Sequence, residues 1–212
     1  MKLLKLATAC AMLVSANAMA LDASSLKVSV YSVMLSTSSL CTSPITIFSS
    51  ATATEVDFLA APTLGSGNPP DGTYNCVIIK MSDIIKYTPS TSSGACASST
   101  EYTGDVCRAD NNGTTIAPDF SGPATNCTGT SATASADVVY MYLTTNASAG
   151  TGGNTFMQPL NANSTNGINL AAPLVIAGTA KSKFIVNAAG KIDGSSGYCG
   201  MNPPVFGFQK LP

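Results

Sequence analysis

Six cysteines following a leader-like N-terminus, in a chain without histidine, constrain this sequence more than any other feature. Cys41, Cys76, Cys96, Cys107, Cys127 and Cys199 include no C-x-x-C pair, and zinc sites draw on such pairs or on histidine. An even set in an exported chain instead implies disulfides. Export itself is read from the N-terminus. Met1-Lys2-Leu3-Leu4-Lys5 supplies positive charge, residues 6–14 an apolar stretch, and Ala18-Met19-Ala20 an A-x-A site, the three parts of a secretory signal. Cleavage is expected after Ala20, so residues 1–20 are read as signal peptide and residues 21–212 as one mature domain. The apolar stretch is well short of the roughly 20 residues that cross a bilayer. Cys10 lacks the apolar residue three positions earlier that a lipoprotein site would use.

Without Lys2 and Lys5, eight basic residues face eleven acidic ones, a net charge of −3. Nucleic-acid binding draws most of its affinity from a basic patch, so that partner class is excluded. No later segment approaches a membrane span. Charged residues make up only 10% of the chain while Ser and Thr abound, the composition of exported β-proteins whose strands present hydroxyls to solvent.

Leu26, Val28 and Val30 alternate with Lys27, Ser29 and Tyr31, after which the apolar phase moves to Val33 and Leu35. A one-residue shift of this kind predicts a bulge near Ser32. Ile45 and Ile47, then Val56-Asp57-Phe58, supply shorter runs. The turn Pro69-Pro70-Asp71-Gly72 leads into the β-branched run from Thr73 to Met81, expected as a central strand, and residues 81–85 are the one mature segment with a pattern that allows a helical turn. Residues 87–136 are rich in Ser, Thr, Gly and Asn, hold three cysteines and lack apolar period. They read as an irregular insertion that needs disulfide staples to be ordered. Strands resume at residues 138–143, and after a Gly- and Asn-rich loop at residues 146–167 further short ones are expected near residues 168–170, 174–176, 184–186 and 205–208. The expected fold is all-β: an antiparallel β-sandwich, transthyretin-like or Ig-like, with a disulfide-stapled loop insertion.

The succession Leu26-Lys27-Val28-Ser29-Val30-Tyr31-Ser32-Val33, Glu55-Val56-Asp57-Phe58-Leu59 and Asp71-Gly72-Thr73-Tyr74 resembles a family of secreted bacterial domains of unknown function. The runs Ile168-Asn169-Leu170, Phe184-Ile185-Val186-Asn187 and Pro204-Val205-Phe206 are similar to its closing strands. The resemblance covers most of the mature chain outside the insertion and implies a transthyretin-like (prealbumin-like) sandwich and export, without an activity. That family commonly carries an acidic residue where this chain has Asn187, which weakens an acidic site there.

For the cysteines, Cys41 and Cys76 are expected to join neighbouring strands. Cys107 with Cys127 and Cys96 with Cys199 is the preferred arrangement of the rest, and Cys96 with Cys107 plus Cys127 with Cys199 the rival.

Without histidine, Ser-His and Cys-His nucleophile pairs are impossible. Glu55 and Asp57 share a strand face and read as a solvated face rather than a glycosidase pair. Asp110-Asn111-Asn112-Gly113 reads as a turn, since Asp119 is badly spaced for calcium. Gly65-Ser66-Gly67 and the glycines of residues 150–153 lack the Lys-Ser/Thr and helix of a phosphate loop. The triplets at Asn112, Asn126, Asn146 and Asn163 are glycosylation acceptors in form only. Tyr140 and Tyr142 share one strand face, as core or as an aromatic platform, with packing the preferred role. No catalytic, cofactor or metal residues are assigned. The expected function is that of a non-enzymatic exported surface or extracellular protein, an adhesin-like or filament-forming subunit with self-assembly or cell-surface partners. The rival is a periplasmic or secreted binding module for a glycan or small ligand.

Overall fold

Alternating side chains along three long segments build the main sheet. The structure is a computed structural model that describes residues 20–60, 62, 69–108, 116–119, 138–150, 155–178, 182–195 and 197–210. Strand β1 (Ala23–Ser36) is hydrogen-bonded to β2 (Ile45–Asp57) on one side and to β4 (Cys76–Pro89), the central strand, on the other, and the expected run from Thr73 to Met81 is divided, Thr73 and Tyr74 belonging to a separate short strand β3 (Gly72–Tyr74). Leu26, Val28 and Val30 point inward and are buried. Val30 pairs with Met81 and Ser32 with Lys80, so β1 takes two steps where β4 takes one. The extra residue is Tyr31, and the bulge flips the phase so that Val33 and Leu35 return to the core.

Two expectations change here. Residues 81–85 are strand rather than a helical turn: β1 pairs with both Met81 and Ile85, β4 taking four steps where β1 takes two, and the Ser82 hydroxyl accepts the Ile84 N–H at 3.3 Å. The runs at Ile45 and Val56 belong to one strand, interrupted where Ser49 pairs with Ser32 and Thr54 with Val30.

The insertion at residues 87–136 is also not irregular throughout. β4 continues to Pro89, and β5 (Tyr102–Arg108) pairs with it from Tyr87↔Tyr102 to Ile84↔Asp105, with β6 (Ile116–Asp119) beyond. Residues such as Thr103, Gly104 and Asp105 carry no apolar period, yet backbone hydrogen bonds to β4 suffice to set them as strand. β7 (Val138–Thr144) pairs with the opposite end of β4 and, in parallel, with β8 (Ile168–Asn169).

The inner face of this sheet presents Val30, Val33, Leu35, Val77, Ile79, Met81 and Leu143, all buried. The same core cluster takes residues from three small antiparallel pairs: β3 with β9 (Leu174–Ile176), β10 (Ser182–Asn187) with β13 (Val205–Lys210), and β11 (Ile192–Asp193) with β12 (Gly200–Met201). Phe184 meets Phe58 edge-on with centroids 5.4 Å apart and stacks on Phe206 at 5.9 Å. Ahead of β1, the Leu21 N–H donates to the Ile192 carbonyl at 2.8 Å and the Ile192 N–H returns the bond at 2.9 Å, with Leu21 buried.

Two disulfides link Cys41 to Cys76 and Cys96 to Cys199, which excludes the rival pairing. Such bonds persist in oxidising compartments, extracellular or periplasmic. The Cys107 side chain and Cys127 lie outside the described residues, as do residues 1–19. The Cys96 corner is tight: a Cβ on Gly94, where φ is +58°, would sit 2.3 Å from the Gly194 carbonyl oxygen. No helix among the described residues is long and apolar enough to cross a membrane.

Candidate functional site

Cross-strand register arranges the outer face of the sheet into rows. Ser49, Ser32, Lys80 and Tyr140, from β2, β1, β4 and β7, form one row, and Thr46, Met34, Ile78 and Tyr142 form the next. The Cys41–Cys76 disulfide packs with Ile78, Met34 and Tyr142 in a small apolar cluster of its own, so this end of the face is braced by a covalent link beside it. Tyr140 is 39% exposed and Tyr142 half-buried. Their rings lie 6.4 Å apart with a tilt of 32°. Burial, and then the neighbouring Tyr140, pushes the Tyr142 phenol above its ordinary pKa. The Lys80 ammonium stands 5.9 Å from the ring centroid of Tyr31, the bulge residue. The packing role expected for Tyr140 and Tyr142 therefore holds for Tyr142 in part, while Tyr140 is open to solvent.

At the other end of the same face the charges are closed among themselves. The Lys27 ammonium lies 2.7 Å from the Glu101 carboxylate, and Lys86 lies 2.7 Å from Glu55 and 4.0 Å from Glu101. Hydrogen bonding to these carboxylates raises both amines, and the bond from Lys86 holds Glu55 below the ordinary carboxylate range.

Glu55 and Asp57 thus take different roles. The Asp57 carboxylate accepts bonds from the Ser25 hydroxyl (2.8 Å), the Leu26 N–H (3.1 Å) and the Leu59 N–H (2.9 Å), fixing the start of β1 to the 3-10 turn Phe58–Ala60. Asn146 is buried, its amide donating to the Asn161 carbonyl at 3.0 Å and accepting the Ser148 N–H at 3.1 Å. The turn at Asp110, the glycines at residues 65–67 and 151–153, and the triplets at Asn112 and Asn126 lie outside the described residues. Behind the sheet an apolar cavity of about 50 Å³ lies between Val28, Met81 and Met141 on one wall and Phe156, Met201 and Pro203 on the other.

Sequence reasoning missed Tyr31 and Lys80. The signals were a tyrosine at the phase change of an alternating strand and one lysine inside a β-branched run. No family model matches this chain, and no curated protein or solved structure matches it.

Proposed function

We propose that this chain is a non-enzymatic, exported surface or extracellular protein of adhesin-like character that binds through the outer face of its large sheet. The observation behind this reading is the group Tyr31, Lys80, Tyr140 and Tyr142: aromatic rings and a cation gathered on one disulfide-braced face, with Tyr140 exposed and the other three half-buried. A transthyretin-like or Ig-like sandwich of the secreted bacterial family is part of the same proposal, supported by the antiparallel sheet and the small strand pairs sharing its core.

Filament growth by strand exchange is the less favoured form of self-assembly. β1 is paired on both sides, and the edge strand β2 begins just after Pro44, is interrupted at residues 50–53 and ends in Glu55 and Asp57. Bulges, proline and charge are the devices that blunt a sheet edge.

Fractionation of the producing cell tests the reading together with adhesion by cells carrying Tyr140→Ala/Tyr142→Ala. Surface or secreted location and weakened adhesion, with the purified variant still folded, are expected. A cytoplasmic protein, or undiminished adhesion, would count against it.

The cavity favours a second reading, a module for a small neutral apolar ligand, because its walls are apolar side chains with Thr155 and Asn202 as the polar lining residues. Titration with a neutral fluorescent apolar dye, before and after filling the cavity with Met141→Phe, separates the two readings.

A further inference from the structure

We propose that the outer-face platform takes an acidic sugar, a pyranose ring bearing a carboxylate, in preference to a neutral one. This rests on the binding reading above and narrows it to one ligand class. Charge complementarity on the face carries it. Lys27 and Lys86 each have a carboxylate at 2.7 Å, so their charge is compensated within the chain. Lys80, on the same face of β4, has no carboxylate within ion-pair distance among the described residues. Its cross-strand neighbours are Ser32 and Tyr140, and the Tyr31 ring lies beside it. An ammonium set beside an aromatic ring, on a lysine that is itself half-buried, gains most from an anion that brings its own apolar surface to the neighbouring rings.

A carboxylated pyranose meets both demands. The C–H face of the ring stacks on the phenol ring of Tyr140, and its carboxylate reaches the ammonium of Lys80, the cross-strand neighbour of that tyrosine. The 6.4 Å separation and 32° tilt of Tyr140 and Tyr142 make a shallow platform suited to a ring laid flat rather than a chain inserted end-on. Phosphate fits less well, because its sites gather several cations or converging backbone N–H groups, and here a single lysine serves.

Calorimetric titration of the purified disulfide-bonded protein tests this, using oligomers of galacturonate, glucuronate and mannuronate and the matching neutral oligomers of galactose, glucose and mannose. At least one acidic oligomer should bind at least tenfold more tightly than its neutral counterpart, and the advantage should shrink as salt is added. Lys80→Met should abolish the preference, Tyr140→Ala should weaken both members of the pair, and Lys86→Met should leave binding unchanged. Equal affinity for acidic and neutral oligomers, no binding to any, or a preference that survives Lys80→Met would overturn the proposal. If adhesion still depends on Tyr140 and Tyr142 while no acidic oligomer binds, the sugar inference fails alone. If the protein is cytoplasmic and adhesion ignores the tyrosines, the reading beneath it fails.

Discussion

Two ends of one sheet face handle positive charge in opposite ways. Near the start of β1, Lys27 and Lys86 stand directly opposite each other across the β1–β4 ladder, a like-charge pair that by itself destabilises a sheet. Glu55 from β2 and Glu101 from the segment before β5 close the charge. Farther along, Lys80 faces Ser32 and Tyr140 and leans toward Tyr31, with no carboxylate in reach among the described residues. All three lysines sit on the outer face of the same two strands. What differs is whether the chain completes the interaction itself, and an end that is left incomplete is the one with affinity to spare for something else.

The largest effect comes from removing the strand both ends share. A chain beginning at Thr37 lacks β1, the strand that joins β2 to β4, and with it Leu26, Val28, Val30, Val33 and Leu35, each 3% exposed or less. Complete loss of cooperative unfolding is expected by circular dichroism and calorimetry. A truncated protein that stayed folded and took up the missing strand as a peptide would show β1 to be detachable, and the two ends to belong to separable pieces.

The disulfides separate the ends next. Cys96–Cys199 closes a span of 103 residues and Cys41–Cys76 one of 35. In the chain-entropy model these contribute about 5 and about 4 kcal/mol respectively. Cys96→Ala/Cys199→Ala should therefore lower the urea midpoint at least as much as Cys41→Ala/Cys76→Ala. Because Cys41 and Cys76 pack against Met34, Ile78 and Tyr142, only their removal should also disturb the aromatic end, seen as shifted Tyr140 and Tyr142 side-chain resonances under native conditions. Equal disturbance by both variants would mean that the brace is not local.

Sequence pattern reveals the scaffold better than the site, for a physical reason. β1, β4 and β7 bury an inner face, and β4 both faces from Cys76 to Ile79, and such burial writes itself into the chain as alternating or continuous apolar residues. β5 is held by backbone bonds to β4 at its Thr103-Gly104-Asp105 stretch, and backbone bonds leave no trace in side-chain pattern. The bulge at Tyr31 was visible because it shifts an apolar phase, whereas its neighbour across the ladder was not. Lys27, Lys80 and Lys86 look alike along the chain. Their difference lies in which carboxylate the register places opposite or diagonal to them, and register across β2, β1 and β4 is tertiary information.

A smaller effect is expected at Tyr87, which lies behind the face. It is 1% exposed, stacks with Tyr102 at 6.0 Å, and donates its hydroxyl to the Cys199 carbonyl. Tyr87→Phe removes a buried donor and should cost about 1–2 kcal/mol. Burial also pushes this phenol above its ordinary pKa of 10.0. The folded state therefore favours the neutral form. Its contribution is complete below that value and is lost as pH rises beyond it, because the unfolded chain releases the proton first. The alkaline fall in melting temperature should be shallower in Tyr87→Phe. An identical fall in both proteins would place the alkaline transition elsewhere.

The smallest effect should come from the closed end itself. Lys86 and Glu55 have side-chain exposures of 36% and 44%, so solvent screens their attraction, and a double-mutant cycle with Lys86→Met and Glu55→Gln should give a coupling of a few tenths of a kcal/mol. The pH dependence has two limbs of opposite sign. Glu55 is held below its ordinary 4.5, so its contribution is present above that value and disappears as pH falls through the lower folded value. Lys86 is raised above its ordinary 10.5, so its contribution is present below that value and disappears as pH rises through the higher folded one. Between these limits the coupling should be flat with pH and should fade with added salt. Lys80→Met should alter neither limb, since Lys80 makes no ion pair among the described residues. A coupling well above 1 kcal/mol would make the closed end a stabilising device in its own right, whereas a weak one means that its carboxylates chiefly remove the repulsion between two facing lysines.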